Sequence, residues 1–220
     1  MTRITPQLSF YGQVLLALDE IDAAYVILGA FAARIYGSTR NTHDIDMIVA
    51  LEEKHIQALV HKFPLPRYYA DPEMMRNSMR MNIMFNLIDT NEGDKVDLIP
   101  IGMNDHNRAA MRRRIRLPYE DLTGERLEAW VTRPDDVMIG KLLAWNESAS
   151  LRHEQDIGQM LVSFRLDPRG LGRYYDEAYA DRNIRTISAS AWALWQKLKR
   201  AAQAEVEKLH KNRLDLLSFP

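Results

Sequence analysis

Asp44 and Asp46 stand two residues apart at the entrance to an apolar run, Ile45-Asp46-Met47-Ile48-Val49-Ala50-Leu51. Where the backbone is extended, positions i and i+2 face the same side. Two carboxylates therefore project together, and their repulsion favours either a shared proton or an intervening cation. Mg²⁺ suits that place, because it prefers oxygen ligands and commonly uses one or two carboxylates plus substrate phosphates. A third carboxylate, Asp97, lies inside another apolar run, Lys95-Val96-Asp97-Leu98-Ile99-Pro100-Ile101. A charge in such a run is rarely buried without a partner. Taken singly, each aspartate has an ordinary account: a solvated strand entry or a cap for Asp44 and Asp46, an edge-strand charge for Asp97. The three together, with a glycine turn upstream, point to a metal site.

That turn is Gly29. It follows the short β-rich run Tyr25-Val26-Ile27-Leu28 and opens the helix-compatible stretch from Ala30 to Tyr36, with Gly37 as its stop. Such a turn brings backbone N–H groups toward an anion, although strand-to-helix turns are common in any α/β protein.

The remaining elements must hold these residues in place. Thr5-Pro6 reads as an N-cap and first helical position, and Phe10, Val14, Leu15, Leu18 and Ile21 carry a helix to about residue 21. A helix is expected from Glu52 to Lys62, stopped by Pro64 and Pro66, and a short one after Asp71-Pro72. Ile83 to Asp89 and Lys95 to Ile101 read as strands joined by the polar hairpin 90–94, followed by a helix over Asp105 to Arg114 and a last strand over Leu127 to Val131. From Pro134 the pattern is helical: 134–149, about 152–165, 170–180 and 188–216. The expected division is an α/β domain over 1–132 and a helical domain over 133–220.

Composition removes several chemistries. The chain of 220 residues has no cysteine, which excludes disulfides, thiolate metal sites and cysteine nucleophiles. With 29 Lys+Arg against 30 Asp+Glu, the net charge is −1, so no global basic field draws in nucleic acid. The dense basic cluster is Arg112-Arg113-Arg114-Ile115-Arg116, which suits either RNA phosphates or a solvated helix end. The six histidines show no metal-ligand spacing, and His43 alternates away from the aspartates. No apolar run is long enough to span a membrane and the N-terminus lacks a secretory signal, so a cytoplasmic protein without a membrane partner is expected.

The run from Val26 to Val49 resembles the nucleotidyltransferases of the polymerase-beta superfamily, and in look the minimal and abortive-infection toxin-type members above all. Their pattern is a Gly-Gly or Gly-Ser turn, a short helix, then Arg-x-Thr-x-Asp-x-Asp. Gly29, Arg40, Thr42, Asp44 and Asp46 stand at the matching positions, and Asp97 where the third metal carboxylate is expected. Pro134-Asp135-Asp136-Val137, then Lys141-Leu142-Leu143-Ala144, Arg152 and Asp156, looks like the Lys-Leu-x-Ala…Arg…Asp signature of the toxin-type relatives. The likeness covers about residues 25–165. It departs at Ala30, where Gly or Ser is usual and where a serine hydroxyl would reach phosphate.

The resemblance implies a mixed α/β sheet of nucleotidyltransferase type flanked by helices, with a helical part after it. It implies transfer of a nucleoside monophosphate from a nucleotide triphosphate to an acceptor hydroxyl, with two Mg²⁺ ions held by Asp44, Asp46 and Asp97. Gly29, Ala30, Arg40, Thr42 and Lys141 would bind the nucleotide, and RNA, tRNA or protein would accept it. Lys141 has its own two readings, a snorkelling lysine or an anion contact, since it lies on the helix face of Met138, Leu142 and Trp145. Arg152 and Asp156 are spaced as an i,i+4 surface ion pair. The stripe of Trp192, Trp195, Ala202, Val206, Leu209 and Leu216 fits either packing on its own domain or docking of an antitoxin or second copy. Two alternatives stand beside the enzyme: a nucleotidyltransferase fold reduced to a binding or regulatory module, and a small-molecule, antibiotic-modifying type, which requires an acidic pocket.

Overall fold

The computed structural model describes residues 8–40 and 44–217. These form two compact units. The first holds residues up to Phe31 together with those from Asp44 to Thr132; the second holds Ala32 to Arg40 together with the helices after Arg133.

The first unit is built on a seven-stranded mixed sheet. Its strands are β1 (Ala24–Leu28), β2 (Asp44–Ala50), β3 (Tyr68–Tyr69), β4 (Phe85–Asp89), β5 (Lys95–Pro100), β6 (Ile115–Glu120) and β7 (Arg126–Val131), in the order β3-β4-β5-β2-β1-β7-β6. The pairs β2/β5 and β1/β7 are parallel and the others antiparallel. The central strands are apolar because both faces are covered: Val26, Ile27, Met47, Ile48, Val49, Val96 and Leu98 are all buried.

Helix α1 (Phe10–Glu20) starts at Ser9, whose hydroxyl accepts from the Gly12 N–H, and it buries Phe10, Val14, Leu15 and Leu18. The expected start at Thr5-Pro6 lies outside the described residues. Helix α3 (Glu53–Lys62) follows β2, and α4 (Pro72–Met81) begins as anticipated, with Asp71 accepting from the Met74 N–H at 2.7 Å and Pro72 in the first turn. Helix α5 (Asp105–Arg113) follows β5. Strand β6 was not anticipated from the sequence. Its Ile115, Leu117 and Tyr119 alternate with polar residues, but Pro118 masks the signal; proline is tolerated here because β6 is an edge strand.

Helix α2 (Gly29–Ile35) begins in the first unit and ends in the second. The second unit continues with α6 (Pro134–Ser148), α7 (Leu151–Leu166), α8 (Glu177–Ile184) and α9 (Ala189–Leu217). The single helix expected over 170–180 is instead a short 3₁₀ turn, Leu171–Tyr174, and then α8. Tyr175 is extended, and Asp176 caps the new helix by accepting from the Tyr179 N–H. On α9, Trp195, Ala202 and Val206 are buried within their own unit, which supports the packing account of that stripe, whereas Leu209 is exposed. The side chain of Leu216 lies outside the described residues. Among the described residues no helix is long and apolar enough to cross a membrane.

Candidate active site

Strand register puts the predicted carboxylates together. Asp46 pairs with Asp97 across the parallel β2/β5 ladder, Asp44 pairs with Lys95, and Asn86 pairs with Asp97 across β4/β5. Register partners face one side of a sheet, as do positions two apart. Asp44, Asp46, Lys95, Asp97 and Asn86 therefore form one polar patch on an otherwise apolar sheet face. It runs from the exposed Asp44 to the buried Asp97.

Gly29 closes the inner side of this patch. Its φ of +66° is left-handed, and a Cβ built there would fall 2.1 Å from Asp46 Oδ2. Glycine is thus required twice at position 29, for the backbone conformation and for the close approach of the carboxylate. Ala30, the next residue, is buried.

The sequence reading missed two members of the patch. Lys95 Nζ lies 3.1 Å from Asp97 Oδ1 and 3.9 Å from Asp44 Oδ2. Its hydrogen bond to Asp97, with the charges of Asp97, Asp44 and Asp46, holds its ammonium above the ordinary lysine range. The Asn86 amide also donates to Asp97 Oδ1. The signal for Lys95 was present, since it precedes Asp97 by two residues on the same strand.

The three carboxylates fit a hard divalent cation by donor chemistry: all ligands are oxygen, on one face, with no side chain at position 29 to block approach. As they stand, Asp97 turns to Lys95 and Asn86. Among the described residues no three His, Asp or Glu groups converge in a geometry that would hold a metal.

The second unit gathers other predicted residues. Asp156 on α7 is fully buried. Lys141 Nζ on α6 donates to its Oδ2 at 2.6 Å, Ser38 Oγ donates to its Oδ1 at 2.7 Å, and Arg40 adds contacts of 3.2–3.3 Å. Burial alone would raise the Asp156 pKa, but the Lys141 and Ser38 hydrogen bonds and the Lys141 charge bring it below the usual carboxylate range. The surface-pair reading of Asp156 is corrected here, and of the two readings of Lys141 the snorkelling one is excluded. Asp156 is not half of a surface pair with Arg152, whose Nε instead faces His153 Nε2 at 3.5 Å. Lys141 does not snorkel; it is buried against Asp156. Thr42 and His43 lie outside the described residues.

The basic cluster is largely engaged inside the first unit. Arg116 forms a bidentate pair with Asp19 at 2.7–2.9 Å. Arg114 and Arg116 both stack over Trp130, and Arg114 donates to the Met111 carbonyl. A separate cleft of about 690 Å³ in this unit is lined by Asp89, Glu92, Asp94 and Glu125, with Arg67 on Asp89 at 3.0 Å.

Among solved structures, JHP933 from Helicobacter pylori is 13% identical to the chain, with 94% of each aligned and a TM-score of 0.41. The antibiotic-resistance factor ANT(2'')-Ia is 14% identical over 93% of this chain and 95% of its own, with a TM-score of 0.40. An antigenic nucleotidyltransferase-like protein from Paracoccidioides brasiliensis is 13% identical over 86% and 95%, with a TM-score of 0.42. At these values the likeness is distant and assigns no activity. No protein-family profile and no curated protein sequence matches the chain.

Proposed function

We propose that the protein is a metal-dependent nucleotidyltransferase that moves a nucleoside monophosphate from a nucleotide triphosphate to an acceptor hydroxyl. One observation carries this reading: three carboxylates, Asp44, Asp46 and Asp97, share one face of adjacent strands, with a glycine that leaves room for Asp46. In-line attack at phosphorus loads negative charge on the entering and leaving oxygens, and bound Mg²⁺ ions supply the stabilising positive charge. Asp44 and Asp46 are the residues to hold the metal on β2. Asp97 would add the third carboxylate of the metal site and would accept the acceptor hydroxyl's proton. Gly29 and Ala30 offer backbone N–H groups to the phosphates. Arg40 and Lys141 are engaged by Asp156 in the second unit, and a nucleotide contact by either follows from the sequence resemblance.

The acceptor is RNA, protein or a small molecule, and a toxin role with an antitoxin or second copy as partner follows from the sequence resemblance. The acidic cleft favours the small-molecule form of the reading, because Glu92 and Glu125 suit a cationic acceptor. Incubation with each α-labelled nucleotide triphosphate, Mg²⁺ and total cell extract tests both points. Label in RNA, protein or the small-molecule fraction names the acceptor; label in none of them contradicts the proposal.

A further inference from the structure

We propose that Lys95 is a resident counter-cation of the carboxylate patch, and that a metal ion reaches Asp44 and Asp97 only by displacing its ammonium. This rests on the metal-site reading above. The ammonium stands between two of the three carboxylates, 3.1 Å from Asp97 and 3.9 Å from Asp44, in register with one and two residues before the other. Asp97 is nearly buried, so its charge has little water to screen it and depends on Lys95 and Asn86 for compensation.

Two features make displacement possible. The lysine side chain is 33% exposed, and its flexible stem can carry the charge into water. The patch opens toward Asp44, whose side chain is 55% exposed. Lys95 therefore sets the metal affinity. It keeps the carboxylates from repelling one another when no metal is present, and it opposes loading until another anion takes its charge. The oxygens of a triphosphate suit that role.

The test is Mn²⁺ binding to the full chain by calorimetry, with thermal unfolding of metal-free and metal-loaded protein beside it. Lys95→Met should bind Mn²⁺ on the order of tenfold more tightly than wild type, since the positive charge 3.1 Å from Asp97 and 3.9 Å from Asp44 is removed. Its metal-free form should unfold at a lower temperature, with the deficit recovered on adding Mn²⁺. Lys95→Arg, which keeps the charge, should retain wild-type affinity. Equal affinity in wild type and Lys95→Met, or an equal loss of stability with and without metal, overturns the inference alone. Absence of Mn²⁺ binding in wild type and Lys95→Met alike overturns the metal site, and the inference with it.

Discussion

Asp97 and Asp156 are both buried aspartates that meet a lysine, and their surroundings give them opposite characters. The lysine beside Asp156 is 5% exposed, and Ser38 and Arg40 complete the shell around the carboxylate. Lys141 cannot leave Asp156 without stranding a buried charge, while Arg40, 32% exposed, forms the outer part of that shell. The lysine beside Asp97 is one-third exposed, and the neighbouring Asp44 faces solvent. The same ion pair is a structural fastening in one unit and an openable contact in the other. Access to water, more than residue type, separates them.

The largest expected effect tests that separation. Asp156→Ala leaves the Lys141 ammonium buried without its carboxylate and should cost about 3–5 kcal/mol, read by denaturant unfolding. Asp97→Ala should cost less, about 1–2 kcal/mol, because Lys95 can turn to water and only the Asn86 amide loses its acceptor. Equal costs would break the comparison.

Next comes Gly29→Ala. The left-handed backbone alone costs about 1–2 kcal/mol, and the new methyl group meets Asp46 Oδ2. Nucleotide transfer should fall much further than this stability loss accounts for; retained transfer would show that Asp46 does not need its present position.

A third effect appears in the pH dependence of the second unit. Burial first, then the charges of Lys141 and Arg152, push the His153 pKa down to about 4, and its Nδ1 has no hydrogen-bond partner among the described residues. The unfolded chain takes up this proton near 6.5. The unfolded state thus binds more protons between those values, so stability is full above about pH 6.5 and falls as the pH drops toward about 4. His153→Gln should flatten that slope in unfolding measured across the same range, and an unchanged slope would assign it to other groups. The Asp156 carboxyl, whose pKa is lowered, contributes stability above the ordinary carboxylate pKa and loses it only at still lower pH.

The smallest effect belongs to the basic cluster. Arg116→Ala removes a partly exposed pair with Asp19 and a contact with Trp130, worth about 1 kcal/mol or less. A much larger loss of transfer to an RNA acceptor would instead place this arginine against phosphate.

Much of the fold was legible because local signals coincided with tertiary need. The alternation that aligns Asp44 with Asp46, the Asp71-Pro72 helix start and the hairpin 90–94 all depend on neighbours in sequence. Strand β6 escaped notice because Pro118 is acceptable only at a sheet edge, and sequence does not reveal edges. The partners of Asp156 escaped notice because Ser38 lies 118 residues away and Lys141 on another helix. The i,i+4 spacing from Arg152 to Asp156 suggested a nearer but wrong partner. Lys95 was visible by spacing, but its meaning required the β2/β5 register.

The most direct test of the central claim is Asp46→Asn, assayed for transfer and stability on the same preparation. The metal-site account predicts loss of Mg²⁺-dependent nucleotide transfer by at least about a thousandfold, which corresponds to roughly 4 kcal/mol of transition-state stabilisation, with the unfolding midpoint close to wild type. Transfer at the wild-type rate, or unfolding as severe as that of Asp156→Ala, would contradict it.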